Sequence, residues 1–161
     1  MLEIRNVKKT DLERIHEIEH ICFPKLEAAS YEKLEQRIKY VPDTFLVLEA
    51  AGQIIGFINA VVVDQKLITD DLFDNAKENP SVGGYVAILG LCVHPDYQHQ
   101  GYAAMLLNEL IKQAKANKRT GLTLTCKDYL IQYYCTFGFE NMGISESVLG
   151  GVSWYDLVYE L

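Results

Sequence analysis

The sequence lacks the segments that would carry a protein into or across a membrane. None of its apolar runs reaches the roughly 20 residues that a transmembrane helix needs. Residues 1–5 alternate between apolar and polar side chains, and no cationic segment followed by an apolar one is present, so no secretory signal is visible. We therefore expect a soluble, cytoplasmic protein without a membrane partner.

Cysteine and positive charge are also scarce. The four cysteines show no Cys-x-x-Cys spacing and lie in apolar segments, which predicts buried free thiols and no metal site. The 15 basic residues are outnumbered by 22 acidic ones, and the net charge of −7 argues against nucleic acid as a partner. Acidic residues between Asp64 and Glu78 are more typical of a solvated helix than of a patch that steers a cationic substrate.

The length suits one domain with a substantial core, spanning residues 1–161. Apolar periodicity and turn residues predict the order β-α-α-β-β-β-α-β-α-β-β, which defines a mixed α/β fold. We expect a capping box at residues 10–13 to open the first helix and Ser30 to cap the second. The predicted strands are residues 2–7, 44–50, 53–63, 85–93, 122–126, 141–147 and 153–160. The predicted later helices are a short acidic one within residues 64–80, a long one over 103–115 and a short one over 130–137.

Residues 89–103 form the most informative segment, in which an apolar strand runs into a loop and then into an amphipathic helix. Pro95 ends the strand, and Gly101 and the small Ala103 allow backbone N–H groups to approach a ligand closely. Free amides at a helix N-terminus favour a phosphate anion, and this loop contains no Arg or Lys that would do so by charge. The turn is neither a P-loop nor a dinucleotide fingerprint. An ordinary tight strand-to-helix connection is the alternative.

Two motifs resemble those of a known family. Val93-His94-Pro95 followed by Gln98-x-x-Gly101-x-Ala103 resembles the acetyl-CoA-binding motif of the GNAT superfamily of N-acetyltransferases, Arg/Gln-x-x-Gly-x-Gly/Ala. The block from Tyr134 to Phe139 resembles the family's Tyr-x-x-x-Gly-Phe. The detail is most similar to the arylalkylamine (serotonin) N-acetyltransferase branch. The resemblance implies the GNAT fold, with a mixed sheet of about seven strands that splays between strands four and five and is flanked by four or five helices.

The resemblance also implies which residues bind the cosubstrate, acetyl-CoA. The backbone of Leu91, Cys92 and Val93 would bind the pantetheine arm and the thioester oxygen. The diphosphate would be bound by the backbone amides of Gln98, His99, Gln100, Gly101, Tyr102, Ala103 and Ala104. Tyr134 matches the family's general acid, since a phenol with a pKa of about 10 can protonate the departing thiolate. Alternatively, Tyr134 is an aromatic core residue.

The general base stays open at this stage. In the arylalkylamine branch two histidines on the fourth strand are associated with deprotonation of the amine through water, but the matching positions here are Ala87 and Leu89. Tyr85, Glu49, Asp128, Glu140 or ordered water remain. A ping-pong reaction through Cys92 is not expected, because a cysteine in an apolar strand has a raised pKa and little thiolate.

We expect direct transfer of an acetyl group to a primary amine, such as an arylalkylamine or a polyamine. The acceptor pocket would be formed by residues 23–31, the segment after Val63 and the closing hairpin. Protein N-termini or lysines are the nearest variant of this function. A non-catalytic acyl-CoA sensor and a protein-interaction domain are alternatives of other classes. Monomer and homodimer both remain open.

Overall fold

The computed structural model describes residues 1–74 and 76–161. The strands and helices, in chain order, are β1 (Leu2–Asn6), α1 (Leu12–Cys22), α2 (Tyr31–Tyr40), β2 (Phe45–Ala50), β3 (Gln53–Val63), β4 (Tyr85–Val93), α3 (Tyr102–Ala116), β5 (Gly121–Cys126), α4 (Ile131–Cys135), β6 (Glu140–Ile144) and β7 (Tyr155–Glu160). Over the described residues the strands make one seven-stranded sheet in the order β1-β2-β3-β4-β5-β7-β6. Only β4 and β5 pair in parallel. The predicted mixed α/β fold is confirmed.

Different helices cover the two faces of the sheet. On one face α3 buries Leu106 and Leu110, from the predicted apolar stripe, against the central strands. On the other face α1 buries Ile15 and Ile18 against the cluster that contains Phe57 of β3. The central strands are therefore apolar on both faces, which explains their long runs of β-branched and aromatic residues.

The N-terminal helix begins differently from our prediction. A 3-10 turn (Lys9–Asp11) precedes α1, and Asp11 Oδ2 accepts a hydrogen bond from the Lys8 N–H at 2.7 Å. The capping box predicted at residues 10–13 was therefore wrong, because Asp11 caps the preceding turn. The Ser30 cap of α2 is confirmed, since its Oγ accepts a hydrogen bond from the Lys33 N–H at 3.2 Å.

The sheet splays between β4 and β5. Pairing between these strands begins at Tyr85 opposite Gly121 and ends at Ala87 opposite Thr123. The ladder between β3 and β4 shifts register at the next step, where Leu89 bulges between the pairs formed by Ile88 and Gly90. A bulge bends its strand, so the rest of β4 follows β3 and diverges from β5. The predicted gap between strands four and five is confirmed.

The connections near this gap are more irregular than predicted. The short helix predicted over residues 130–137 is a 3-10 turn (Asp128–Leu130) followed by α4, and the acidic helix is a single 3-10 turn (Asp70–Phe73). The closing hairpin has shorter strands than predicted, joined by a long loop that contains a 3-10 turn (Leu149–Gly151). Among the described helices none is long and apolar enough to cross a bilayer.

Candidate active site

Two cavities meet in the gap between β4 and β5. The first, which we call the loop cavity, has a volume of about 480 Å³ and lies between the end of β4, residues 97–104 and α4. The second, the strand cavity, has a volume of about 370 Å³ and lies between residues 88–91 of β4, residues 124–127 of β5 and residues 19–27. Residues that line both are Cys22, Phe23, Leu91, Leu130 and Tyr134. The two cavities therefore adjoin each other where the strands part.

Most residues predicted to bind acetyl-CoA surround the loop cavity. Its lining includes Leu91, Cys92, Val93, Gln98, His99, Gly101, Tyr102, Ala103 and Ala104. Gln100 is exposed and does not line it. The structure thus brings together residues that are separated along the chain by a 3-10 turn (Pro95–Tyr97).

The loop before α3 leaves its amide groups free. His99 and Gly101 have φ values of 64° and 85°, which are left-handed conformations on either side of Gln100. Gly101 is the N-cap of α3, and no side chain caps the first turn in the part of the chain that the structure describes. The N–H groups at the start of α3 are therefore available to an anion such as a diphosphate. Gln98 fixes the loop, because its Nε2 donates to the Val93 carbonyl oxygen at 2.9 Å.

Tyr134 lies at the junction of the two cavities. The α4 helix positions it, and its ring contacts Tyr133 and Phe139 edge-on at centroid distances of 5.3 and 6.1 Å. Burial, together with the neighbouring Cys126 thiol, raises the pKa of the Tyr134 phenol well above its ordinary value. The phenol therefore stays protonated at neutral pH, which is the state that a proton donor needs.

The strand cavity has aromatic walls and an ion pair at one side. Lys127 Nζ lies 3.0 Å from Glu27 Oε2 and 5.7 Å from the centre of the Trp154 ring. The Trp154 indole is itself held by a hydrogen bond from Nε1 to the Leu149 carbonyl oxygen at 2.7 Å. Aromatic lining residues are Phe23, Phe73, Tyr129, Tyr134 and Trp154.

Three connecting segments meet over the strand cavity. The segment after β3 reaches the loop between β6 and β7, because Asp70 accepts hydrogen bonds from the Ser147 hydroxyl and, at 3.1 Å, from the Val148 N–H. The same loop touches the segment between α1 and α2, where a Cβ placed on Gly150 would lie 2.8 Å from Glu27 Cγ. These are the segments from which we expected the acceptor pocket. Their contacts close one side of the cavity.

Glu19 is a further polar residue of the strand cavity, and our sequence analysis missed it. It lies on α1, is buried and lines the cavity, and one of its carboxylate oxygens is buried without a hydrogen-bond partner among the described residues. Burial raises the pKa of this carboxyl group. The sequence contained a signal, since Ile15, Ile18, Glu19 and Cys22 follow the spacing of one helical face. A charged residue within a buried stripe is uncommon.

The base candidates that we did consider lie elsewhere. Glu49 accepts a hydrogen bond from Arg5 at 2.9 Å, and Glu160 accepts one from the Tyr85 hydroxyl at 2.9 Å. Neither Asp128 nor Glu140 lines either cavity. The structure therefore does not bring any of these four groups to the gap.

Neither Cys22 nor Cys92, the two cysteines that line the loop cavity, is built as an acyl carrier. Burial raises the pKa of the Cys92 thiol well above its ordinary value. Cys22 has a lowered pKa, chiefly because of its hydrogen bond with the Cys92 thiol, and its Sγ also donates a hydrogen bond to the Val93 carbonyl oxygen at 3.2 Å. No histidine contacts either thiol in the described part of the chain, so the pair of histidine and thiol that would generate a thiolate nucleophile is missing there.

A splayed sheet, a free helix N-terminus and a protonated phenol at one junction are the features of an acyltransferase that binds its acyl donor between two strands. The sequence profile of the acetyltransferase (GNAT) family matches residues 12–139. The chain therefore belongs to the acetyltransferase (GNAT) family.

Individual relatives agree with this assignment. The "Uncharacterized N-acetyltransferase YkwB" of Bacillus subtilis (strain 168) is 28% identical over 120 residues, which cover 68% of this chain and 53% of the relative. The chain spans about half the length of the N-acetyltransferases that it matches in this way.

Solved structures resemble the whole chain. The GphF GNAT-like decarboxylase in complex with isobutyryl-CoA has a TM-score of 0.80 and 20% identity, and the match covers 98% of both chains. The ribosomal-protein-S18-alanine N-acetyltransferase from Escherichia coli has a TM-score of 0.74 and 19% identity, and the match covers 99% of this chain and 94% of that one. At these identities the similarity concerns the fold.

Proposed function

We propose that this protein transfers the acetyl group of acetyl-CoA directly to a primary amine of a small molecule, in the cytoplasm and as a single domain. The observation that carries the proposal is the position of Tyr134, which lines both cavities. A donor in one cavity and an acceptor in the other would meet beside its phenol. Such an arrangement brings both reactants to one point, as direct transfer requires.

The loop cavity fits the coenzyme. The amides at the N-terminus of α3 would bind the diphosphate, and a Cβ at Gly101 would meet nothing within 4 Å, which leaves the space that a phosphate needs. Beyond Ala87 the edge of β4 that faces β5 has no ladder partner. Its amides would bind the pantetheine arm and stabilise the thioester oxygen as negative charge develops there.

Tyr134 would complete the reaction on the donor side. When the amine attacks the thioester carbonyl, the bond from carbon to sulfur breaks and leaves a thiolate. The Tyr134 phenol, kept protonated by burial, supplies a proton to that sulfur. It would recover the proton that the nitrogen loses as the amide forms.

The shape of the strand cavity favours a small acceptor. Its volume of about 370 Å³ is near the lower end of the range of about 300–1,000 Å³ for small-molecule sites. The three segments beside the cavity are tied to one another, because Asp70 accepts a hydrogen bond from the Val148 N–H and Gly150 lies against Glu27. The aromatic walls suit an arylalkylamine, in line with the branch that the sequence resembles, although Ala87 and Leu89 replace the histidines of that branch. Acetylation of protein N-termini is the variant that the small volume of this cavity disfavours.

A panel of amines tests the function. Calorimetry with acetyl-CoA would measure donor binding, and release of the CoA thiol would measure turnover on 2-phenylethylamine, tryptamine, putrescine and a peptide with a free N-terminus. We expect micromolar donor binding and fastest turnover on the arylalkylamines. Binding of acetyl-CoA without turnover on any amine would favour a sensor, and failure to bind it would remove the proposal altogether.

A further inference from the structure

We propose that Glu19 binds the ammonium group of the acceptor and takes its proton, so that the strand cavity selects cationic primary amines with an aromatic or apolar body. This inference rests on the proposed function, because it assigns the acceptor to the strand cavity. It names a second reacting residue on the opposite side of the gap from α4.

The two oxygens of Glu19 have different surroundings. The side chain belongs to a residue that is 4% exposed, and Oε2 accepts a hydrogen bond from the Ala29 N–H at 2.8 Å. The neighbouring His20 ring contacts the Ala29 carbonyl oxygen at 2.9 Å, so two successive residues of α1 hold the same loop residue. Oε2 therefore has a structural role, and the orientation of the carboxylate is fixed.

Oε1 is the oxygen that remains free. It is buried, and no donor reaches it in the described part of the chain. It lies 3.9 Å from the point where a Cβ on Gly90 would stand, and Asn59 Nδ2, also buried without a partner there, lies 3.2 Å from that point. The two buried groups without partners therefore both lie beside Gly90, which lines the strand cavity and follows the bulge at Leu89.

A buried carboxylate oxygen without a donor is costly unless a ligand or solvent supplies one. A primary ammonium has three donors and a positive charge, and it matches both the geometry and the sign of Oε1. Glu27 is the other carboxylate of the cavity, but Lys127 already neutralises it. The aromatic walls would enclose the apolar body of the amine. A carboxylate acceptor would instead be repelled by Glu19.

Proton transfer balances in this arrangement. One N–H bond of the ammonium breaks and an O–H bond forms on Glu19, which leaves a neutral amine whose lone pair attacks the thioester. Glu19 then releases this proton to solvent. The second proton that the nitrogen loses is balanced by the proton that the CoA thiolate gains through Tyr134. The net products are the amide, free CoA and one proton.

The surroundings of Glu19 make it a better base than an exposed glutamate. Burial raises its pKa, while the Ala29 hydrogen bond and the positive charges of Arg37 and His20 oppose that rise. Other titratable groups that face the carboxylate or share its cavity are Cys22, Glu27, Cys92, Cys126, Lys127, Tyr129 and Tyr134. Because the charged form of Glu19 is the active one, kcat/KM should rise with pH, with its acidic limb above the ordinary glutamate pKa of about 4.3.

The variant Glu19→Gln separates the roles of the two carboxylate oxygens. A glutamine can accept the Ala29 hydrogen bond through its oxygen and place an NH₂ group where Oε1 stands. We expect kcat/KM for 2-phenylethylamine to fall by about 100-fold or more and its acidic limb to disappear, with acetyl-CoA affinity unchanged. Glu17→Gln is the matched control, because Glu17 lies on the same helix with its side chain 57% exposed and should keep wild-type kinetics. Glu19→Asp should retain an acidic limb.

The outcomes distinguish this inference from the proposed function. If the wild type acetylates amines and Glu19→Gln keeps its rate and pH profile, the inference is overturned and the function stands. If no amine is acetylated, the function fails, and calorimetry of 2-phenylethylamine against its neutral isostere 2-phenylethanol still tests Glu19. Tighter binding of the cation to the wild type by tenfold or more supports the ammonium site, and equal binding overturns it. This comparison uses only the wild type, so it also decides the matter if the variant does not fold.

Discussion

Lys127 Nζ lies 3.0 Å from Glu27 Oε2 and joins the end of β5 to the loop between α1 and α2. The side chain of Glu27 is 7% exposed, so removal of the lysine leaves a nearly buried carboxylate unpaired. We expect Lys127→Met to lower the free energy of unfolding by about 1–3 kcal/mol. It should also raise the KM for the amine without changing acetyl-CoA affinity, because the pair borders the strand cavity. Urea denaturation and initial rates measure these effects.

Lys66→Met is the matched control for this prediction. Lys66 pairs with Glu160 at the surface, with side chains 48% and 54% exposed, and such pairs contribute about 0–1 kcal/mol. The double variant Lys127→Met/Glu27→Gln should regain part of the lost stability, since no buried charge is left unpaired. Equal losses for the two lysine variants would show that the ion pair over the cavity has no special role.

Tyr134→Phe tests the proton donor. Loss of one hydroxyl at the junction should reduce kcat by about 100-fold or more, because the thiolate then leaves without a proton. Acetyl-CoA affinity should persist, since the aromatic contacts with Tyr133 and Phe139 remain. Release of CoA thiol and calorimetry measure the two quantities separately.

The pH dependence of kcat tests the same role of Tyr134 in a second way. Because the pKa of Tyr134 is raised above its ordinary value, deprotonation of this phenol should cause no loss of kcat at any pH below about 10. Tyr85→Phe is the control, since Tyr85 donates to Glu160 at the far end of β4 and lines neither cavity. If Tyr134→Phe has the turnover rate of the wild type, Tyr134 is an aromatic core residue and not the proton donor.

The order of the strands and helices could be predicted from local sequence patterns. The hairpin of β2 and β3 was located to within one residue, because Ala51 and Gly52 both adopt positive φ in its turn and apolar runs flank it. The strand before the loop cavity was predicted with its observed bounds, since Pro95 ends it. The errors in this prediction concern the ends of helices and strands, which tertiary contacts determine. At the start of α1, for example, Asp11 caps the preceding turn.

The acceptor side of the candidate site could not be predicted from the sequence. The loop residues carry a motif, but the acceptor side is assembled from α1, β4 and three loops that are distant along the chain. Glu19 was overlooked because its place at the cavity depends on residues distant along the chain, such as Gly90, which lies 71 positions later and beside Oε1. No spacing rule connects these two residues. Gln100 was named through the same motif for its backbone amide, and that role stays a prediction.

The pKa values of the thiols near the gap predict the kinetic mechanism. Burial keeps Cys92 protonated at neutral pH, so it should form no acetyl-enzyme. We expect intersecting lines in double-reciprocal plots of initial rates, and an unmodified protein mass after incubation with acetyl-CoA alone. Iodoacetamide provides the comparison, because Cys22, whose pKa is lowered, should be alkylated before Cys92. Parallel lines together with acetylated Cys92 would establish a ping-pong reaction instead.

Glu19 should also make the free energy of unfolding depend on pH. Its pKa is higher in the folded chain than in the unfolded one, so the folded state binds this proton more tightly. The resulting stabilisation is fully present below the unfolded pKa of about 4.3 and is lost as the pH rises through the folded value. The free energy of unfolding of Glu19→Gln, relative to the wild type, should therefore increase as the pH rises above the unfolded pKa of about 4.3.

Urea denaturation at several pH values measures this difference. Glu17→Gln on the exposed face of α1 serves as the control, and its difference from the wild type should change little over the same interval. A pH-independent difference for Glu19→Gln would contradict the raised pKa. Higher stability combined with lower activity in this variant would show that the carboxylate is kept at a cost to the fold.

Gly101 and Gly52 allow strain to be separated from binding. Both have positive φ, 85° and 80°, and a Cβ at either would meet nothing within 4 Å. Alanine at either position should therefore destabilise the protein through backbone strain alone, by about 1–2 kcal/mol. Only Gly101 caps α3 beside the loop cavity, so only Gly101→Ala adds a methyl group where the diphosphate would approach the amides.

We expect Gly101→Ala to weaken acetyl-CoA binding by about tenfold, which corresponds to about 1.4 kcal/mol, while Gly52→Ala binds like the wild type. Denaturation and calorimetry on the same preparations give both numbers for each variant. If the two variants lose stability equally and differ in affinity, the effect at Gly101 comes from the ligand and not from the fold. Equal affinities would mean that the diphosphate is held somewhere other than at the N-terminus of α3, and the donor would then have to be assigned to a different part of the gap.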